Sequence, residues 1–146
     1  MRRLAPLAAV AGLAALAGPA MADIRFEGRT GQGRLALLVA EDDGVPKRGA
    51  IHWRAHCRRT GVLLPQGTVF RRPLDLSTGR RLRDVGSYRT RRFRDGVRLT
   101  IRARTTGRKV GPRRWRGRFS ARVVVRQRGR VIDRCAVRGI RWRVRR

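Results

Sequence analysis

The sequence predicts an all-β protein, an antiparallel sandwich or partly open barrel of about seven to nine strands with one disulfide, after an N-terminal helical signal peptide. Three observations predict it. Apolar and polar residues alternate with period two through most of the chain beyond residue 22. No window carries an apolar stripe at helical spacing. Asp-Gly and Arg-Gly pairs punctuate the alternation as tight hairpin turns do.

The first segment is of a different kind. Arg2 and Arg3 precede an apolar run from Leu4 to Ala17, and Ala20-Met21-Ala22 offers a small-x-small cleavage site. The expectation is a signal peptide over residues 1–22 and a mature chain starting at Asp23. The apolar run falls short of the roughly 20 residues that span a bilayer, which predicts export without a transmembrane anchor, to the medium or the cell envelope. Residues 23–146 are enough for one domain with a single core.

Within that domain, strands are expected at Ile24 to Gly28 and at Arg34 to Ala40. The unbroken apolar run Leu35-Ala36-Leu37-Leu38-Val39 fits a helix as well as a strand. Glu41-Asp42-Asp43-Gly44 reads as a turn. The next strand sets Ile51, Trp53, Ala55 and Cys57 against His52, Arg54 and His56. Arg71 to Arg83 lacks clear alternation and reads as containing a loop, and Gly86-Ser87-Tyr88 reads as a strand start. After the turn at Arg94-Asp95-Gly96, Val97, Leu99, Ile101 and Ala103 share one face. Phe119, Ala121, Val123 and Val125 do so further on, and Ile140, Trp142 and Val144 close the chain. Arginine dominates the opposite face of each.

The stretch Ala121 to Cys135, ARVVVRQRGRVIDRC, is therefore a hairpin with a turn near Arg128-Gly129. A disordered basic arm would lack apolar residues at every second position.

Cys57 and Cys135 are the only cysteines, and in an exported chain they most simply pair. Two distant thiols do not make a metal site. Cys57 lies in phase with Trp53 and Ala55, and Cys135 with Val131 and Val137, so both thiols are expected to face inward. Closing a 78-residue span stabilises a domain by about 4.5 kcal/mol in the chain-entropy description. Trp53 and Trp142, in phase with aliphatic neighbours, are core candidates.

Three landmarks give a resemblance. Phe26-Glu27-Gly28-Arg29-Thr30-Gly31-Gln32 has the form F-x-G-x-T-x-Q, Trp53-Arg54-Ala55-His56-Cys57 the form W-x-A-x-C, and Cys135 to Trp142 ends in a C…G-x-x-W strand. Together they resemble a group of small exported proteins of high-GC Gram-positive bacteria, with one residue more between cysteine and glycine here. The resemblance implies a disulfide-bonded β-sandwich with no assigned activity, and it carries over no catalytic residue.

Charge frames the functional question. The chain has 38 Lys and Arg against 9 Asp and Glu; without Arg2 and Arg3 the mature net charge is +27. Two readings compete. A folded cationic surface outside the cytoplasm suits anionic cell-wall polymers such as teichoic acids, with nucleic acid bound only non-specifically. Alternatively, GC-rich codons account for the arginine, since Lys47 and Lys109 are the only lysines and Asn is absent. The domain is then structural, without a specific ligand, and its arginines serve solubility by resisting edge-to-edge pairing.

Enzymatic chemistry finds little footing. His52 and His56, four residues apart on a strand, are roughly 13 Å from one another, too far to share a metal ion. Ser77, Ser87 and Ser120 sit in no nucleophile elbow, and the acidic cluster at Glu41 to Asp43 lacks the ligand alternation of a calcium loop. No catalytic residue, metal or cofactor is expected. The binding candidate is Lys109 to Arg118, where Arg113, Arg114, Arg116 and Arg118 surround Trp115 and where Gly and Pro are expected to hold the backbone out of regular structure. Arginine forks bind phosphate or sulfate, and an exposed Trp115 stacks on a sugar or base; the competing reading folds Trp115 back over the core.

Overall fold

Alternation becomes strand because each strand has one face to bury. The computed structural model describes residues 23–41, 44–71, 75–77, 80–90, 93 and 95–146. The expected signal peptide and Asp42-Asp43 of the acidic turn lie outside these. Among the described residues nine strands follow in order: β1 (Ile24–Thr30), β2 (Leu35–Ala40), β3 (Pro46–Cys57), β4 (Leu63–Arg71), β5 (Asp75–Ser77), β6 (Arg81–Arg89), β7 (Val97–Gly111), β8 (Arg114–Gln127) and β9 (Arg130–Arg145). All pairings are antiparallel, in the sheet order β4-β3-β2-β1-β9-β8-β7-β6-β5. The chain thus forms two meanders, and its first and last strands join them at the middle of the sheet.

The sheet curls on itself into a partly open barrel. Across the interior the rings of Trp53 on β3 and Phe119 on β8 lie 5.5 Å apart. At the seam between β4 and β6, the Tyr88 hydroxyl donates to the Gly67 carbonyl at 3.2 Å and shares a 2.9 Å hydrogen bond with Thr68 Oγ1. Thr68 Oγ1 also accepts from Trp53 Nε1 at 2.9 Å, which satisfies the indole inside the core. One buried cluster runs from Phe26 through Leu38, Ile51, Trp53, Phe70, Leu82, Ile101, Phe119 and Val123 to Trp142 and Val144.

β9 is long enough to be edged by two strands. β1 pairs with its last part, Thr30 opposite Trp142, while the end of β3 pairs with its first part, Cys57 opposite Cys135. The disulfide Cys57–Cys135 therefore rivets the end of β3 to β9. Between these pairings sits the β1–β2 turn, whose Gln32 amide accepts from Arg54 N and donates to Arg54 O, replacing a strand's backbone. Thr30 Oγ1 accepts from the Gln32 and Arg34 amides in the same turn. A Cβ on Gly28 would come within 2.0 Å of the Arg143 carbonyl, so β9 passes too closely for any side chain there. Phe26, Gly28, Thr30 and Gln32 thus each have a packing role.

Several expectations are refined. The apolar run of β2 is a strand, with Ala36, Leu38 and Ala40 inside. Gly86-Ser87-Tyr88 lies within β6 rather than at its start, and the Arg71 to Arg83 segment contains β5. Lys109 to Arg118 is regular: β7 and β8 run through it with only Pro112 and Arg113 between them. The hairpin at Arg128-Gly129 forms as expected, with φ of 48° and 86° at the two turn residues, the positive pair that matches the twist of two-residue hairpins.

Val131 departs from its expected inward position and is 44% exposed. The register shifts between Val125 and Arg126, which face Asp133 and Val131, so Ile132 is an extra residue and Val131 turns outward. Asp133 takes the inward place. A second shift sets Phe119 opposite Ile140 and Ala121 opposite Val137. There Gly139, at φ 59°, donates its N–H to Ser120 Oγ at 2.8 Å. That bulge moves the buried set from the odd residues Cys135 and Val137 to the even residues Trp142 and Val144.

Candidate functional site

The outward arginines fall into rows, because register aligns residues of neighbouring strands on one face. Arg81 on β6 stands opposite Arg108 on β7, Arg108 opposite Arg116 on β8, Arg116 opposite Arg143 on β9, and Arg143 opposite Arg29 on β1. All five are exposed. At about 4.8 Å between strands, the row spans roughly 19 Å. One pleat along, Arg83, Thr106, Arg118 and Arg141 form a second row, about 6.6 Å from the first.

Between the rows lies an open trough of about 550 Å³, with Arg81, Arg108, Arg116 and Arg143 on one wall and Thr106, Arg118 and Arg141 on the other. Backbone at Gly107 and Gly117 floors it. These glycines are paired with each other, and Gly117 with Trp142. The Trp142 ring lies across their inner side: a Cβ on Gly107 would be 2.7 Å from it and one on Gly117 2.5 Å. A flat indole under two glycines thus lets β7, β8 and β9 carry arginines in line above it.

Like charges directly opposed on a sheet repel one another; the first row contains no carboxylate, and Asp75 on β5 stands in register with Arg83 at the end of the second. Among the described residues, no side-chain hydrogen bond or ion pair engages the guanidinium groups of the six trough arginines. Arg29, at the end of the row, donates Nη1 to the Gly33 carbonyl at 2.7 Å. Five N–H donors on each trough arginine remain free for an anion.

The sequence candidate maps onto this face in part. Arg116 and Arg118 stand in the two rows. Arg114 opposes Arg145 in a third row, which Glu27 joins, and exposed Arg113 sits in the turn. Trp115 is 1% exposed and belongs to the core. It therefore offers no ring to a sugar or base, because the hairpin continues through this segment and turns residue 115 inward. Arg29, Arg81, Arg108, Arg141 and Arg143 were not singled out by sequence reasoning. The period-two arginines around Trp142 signalled a cationic face, but not its neighbours.

The charge is unevenly divided. Residues 23–71 carry 9 basic and 5 acidic side chains, a net +4, and residues 72–146 carry 27 and 4, a net +23. On the outer face of the first part Leu37, Ala50 and Val69 stand in register across β2, β3 and β4 where the second part has arginine.

Elsewhere, Asp133 is buried beside the disulfide and ties the β3–β4 turn to β9. Its carboxylate accepts from Arg59 N at 3.0 Å, Thr60 N at 3.1 Å, Thr60 Oγ1 at 2.9 Å and Arg134 N at 2.7 Å. The Arg59 amide foremost, with the other donors outweighing the opposing cost of burial, holds its pKa down at about 2. Asp84 faces inward opposite Thr105, and burial raises its pKa. His52 and His56 are exposed on the outer side of β3, and Ser87 is exposed on β6. Among the described residues, no three His, Cys, Asp or Glu side chains gather, and no helix is long and apolar enough to cross a membrane.

The fold and its outer face together define a disulfide-bonded, antiparallel β-meander barrel with a cationic half. No protein-family model, curated protein or solved structure matches the chain.

Proposed function

We propose that this protein is a secreted or envelope-associated, non-enzymatic β-domain that binds anionic polymers of the cell envelope through the outer face of β6 to β9. The observation that carries the reading is the row Arg81, Arg108, Arg116, Arg143 and Arg29, five cations in register without an interposed carboxylate. Such a row opposes sheet formation by self-repulsion, and bound anions relieve that cost. The division of charge, +4 against +23, weighs against the structural reading: a uniform codon bias loads both parts of one chain alike.

Binding of this kind rests on counterion release, so it is strong at low salt, falls linearly in log-log form as salt rises, and discriminates little between sugars or bases. The test is retention of the intact secreted protein on immobilised teichoic acid and heparin across a salt gradient. Tight retention at low salt with a steep slope is expected, and neutralising Arg25, Arg54 and Arg58 in the low-charge part should change it little. Elution of the wild type with the void volume at low salt would end the polyanion reading.

A further inference from the structure

The trough gives this binding a direction and a chemistry. We infer, building on the polyanion reading, that the ligand is a single unbranched chain of phosphate groups lying in the trough across strands β6 to β9. The walls of the trough are the two arginine rows, and both run across the strands. A chain along a single strand would meet a guanidinium only at every second residue of that strand, about 6.6 Å apart. A chain across the strands meets one at each step of about 4.8 Å on the first wall, with Arg118 and Arg141 facing it from the second.

The spacing of the walls selects the anion. Rows roughly 6.6 Å apart at their base admit one chain between them. A phosphate linked in a chain is tetrahedral and turns its free oxygens to both sides, so one group can accept from both walls at once. A carboxylate has its acceptor lone pairs in one plane and hangs to one side of its polymer chain, so it reaches both walls less readily. The Thr106 hydroxyl, on the second wall between Arg83 and Arg118, donates to the Arg118 carbonyl at 3.5 Å, a long bond that a phosphate oxygen can replace. Inorganic polyphosphate and poly(glycerol phosphate) share this chemistry.

The experiment is a binding series on the intact protein with orthophosphate, tripolyphosphate and longer inorganic polyphosphates, repeated with poly(glycerol phosphate) and with polyglutamate of matched charge. Affinity should rise with chain length until the chain covers the four arginines of the first wall, three strand spacings or roughly 14 Å, and then flatten. Polyglutamate should bind more weakly, and the tighter of the two phosphate chains names the source.

The quadruple variant Arg81→Gln, Arg108→Gln, Arg116→Gln, Arg143→Gln should bind the longest polyphosphate roughly 30- to 100-fold more weakly, with a salt slope shallower by about 3. The variant Arg98→Gln, Arg102→Gln, Arg104→Gln, Arg122→Gln removes the same charge from the same sheet outside the trough, and should stay within about 3-fold of wild type. Equal losses in the two variants overturn the trough while the general polyanion reading stands. Affinity in wild type that ignores chain length, or matches between polyglutamate and polyphosphate, overturns the single phosphate chain without needing any variant. Failure of every polymer to bind at low salt removes the polyanion reading itself.

Discussion

The two meanders of this barrel are built alike inside and differently outside. From β1 to β4, inward residues such as Phe26, Leu38, Ile51, Trp53 and Phe70 meet the same core as Leu82, Ile101, Phe119, Val123 and Trp142 from β6 to β9. On the outer side the first meander shows Leu37, Ala50 and Val69 in register and one opposed pair, Arg48 and Arg71, whereas the second sets arginine opposite arginine across successive strands. The difference teaches that the interior alternation specifies the fold, while the outer positions are available for surface chemistry. The cationic meander folds against its own repulsion, so it depends most on the devices that fasten it to its neighbour: the β1–β9 pairing, the disulfide, the Asp133 clamp and the Tyr88 seam.

Breaking those fasteners should expose the asymmetry. The largest effect is expected from Cys57→Ser with Cys135→Ser, which cuts the crosslink between β3 and β9 and should cost about 4.5 kcal/mol in urea unfolding. Added salt should recover part of that loss by screening the cationic meander, whereas a salt-independent loss would show that repulsion does not limit folding. Next comes Gly117→Ala. Its Cβ would stand 1.9 Å from the Thr106 carbonyl and 2.5 Å from the Trp142 ring, and overpacking of this kind costs roughly 1–3 kcal/mol. Gly86→Ala, with nothing within 4 Å of the added carbon, serves as the neutral comparison in the same thermal melt.

Acid should release the Asp133 clamp. Its pKa is lowered from 3.8 to about 2, so its contribution is complete above the unfolded value and is lost as pH falls through about 2. Asp133→Asn should melt earlier than wild type at neutral pH, and the gap should close on titration toward pH 2. A gap that persists at that pH would assign the effect to packing instead of charge. The smallest change is expected from Tyr88→Phe, which removes the hydroxyl shared with Thr68 and Gly67 at the seam. A loss of about 1 kcal/mol, the usual worth of a hydrogen bond, is expected in equilibrium unfolding.

Much of the fold was legible because burial on one face leaves a period-two trace. Trp53, Trp142, Cys57, Leu99 and Ile101 are all buried, as their alternation predicts, and the Arg128-Gly129 turn is where composition places it. Val131 misled because a bulge inserts one residue without marking the sequence; Ile132 looks like any other strand residue. Trp115 is buried, as the reading that folds it back over the core expects; there it was the backbone that misled. Glycine and proline in Lys109 to Arg118 suggest irregular backbone, but Gly117 lies in the strand where the Trp142 ring leaves no space for a side chain, and Pro112 occupies the turn itself. Of the binding candidate, Arg116 and Arg118 stand on the trough, while the rest of its walls come from strands distant in sequence.

The sequence by itself determined that the chain is all-β, that arginine occupies the solvent side of its later strands, and that two cysteines are available to pair, because each of these depends on residue identity and local spacing. Only the tertiary structure decided that β1 joins β9, that Cys57 meets Cys135 across a strand pair, and that Arg81, Arg108, Arg116, Arg143 and Arg29 stand in one row. Register is a property of two strands together: it is selected by the bulges, the close glycines and the shared core that form when the meanders close, and no single strand encodes which of its residues will face which neighbour.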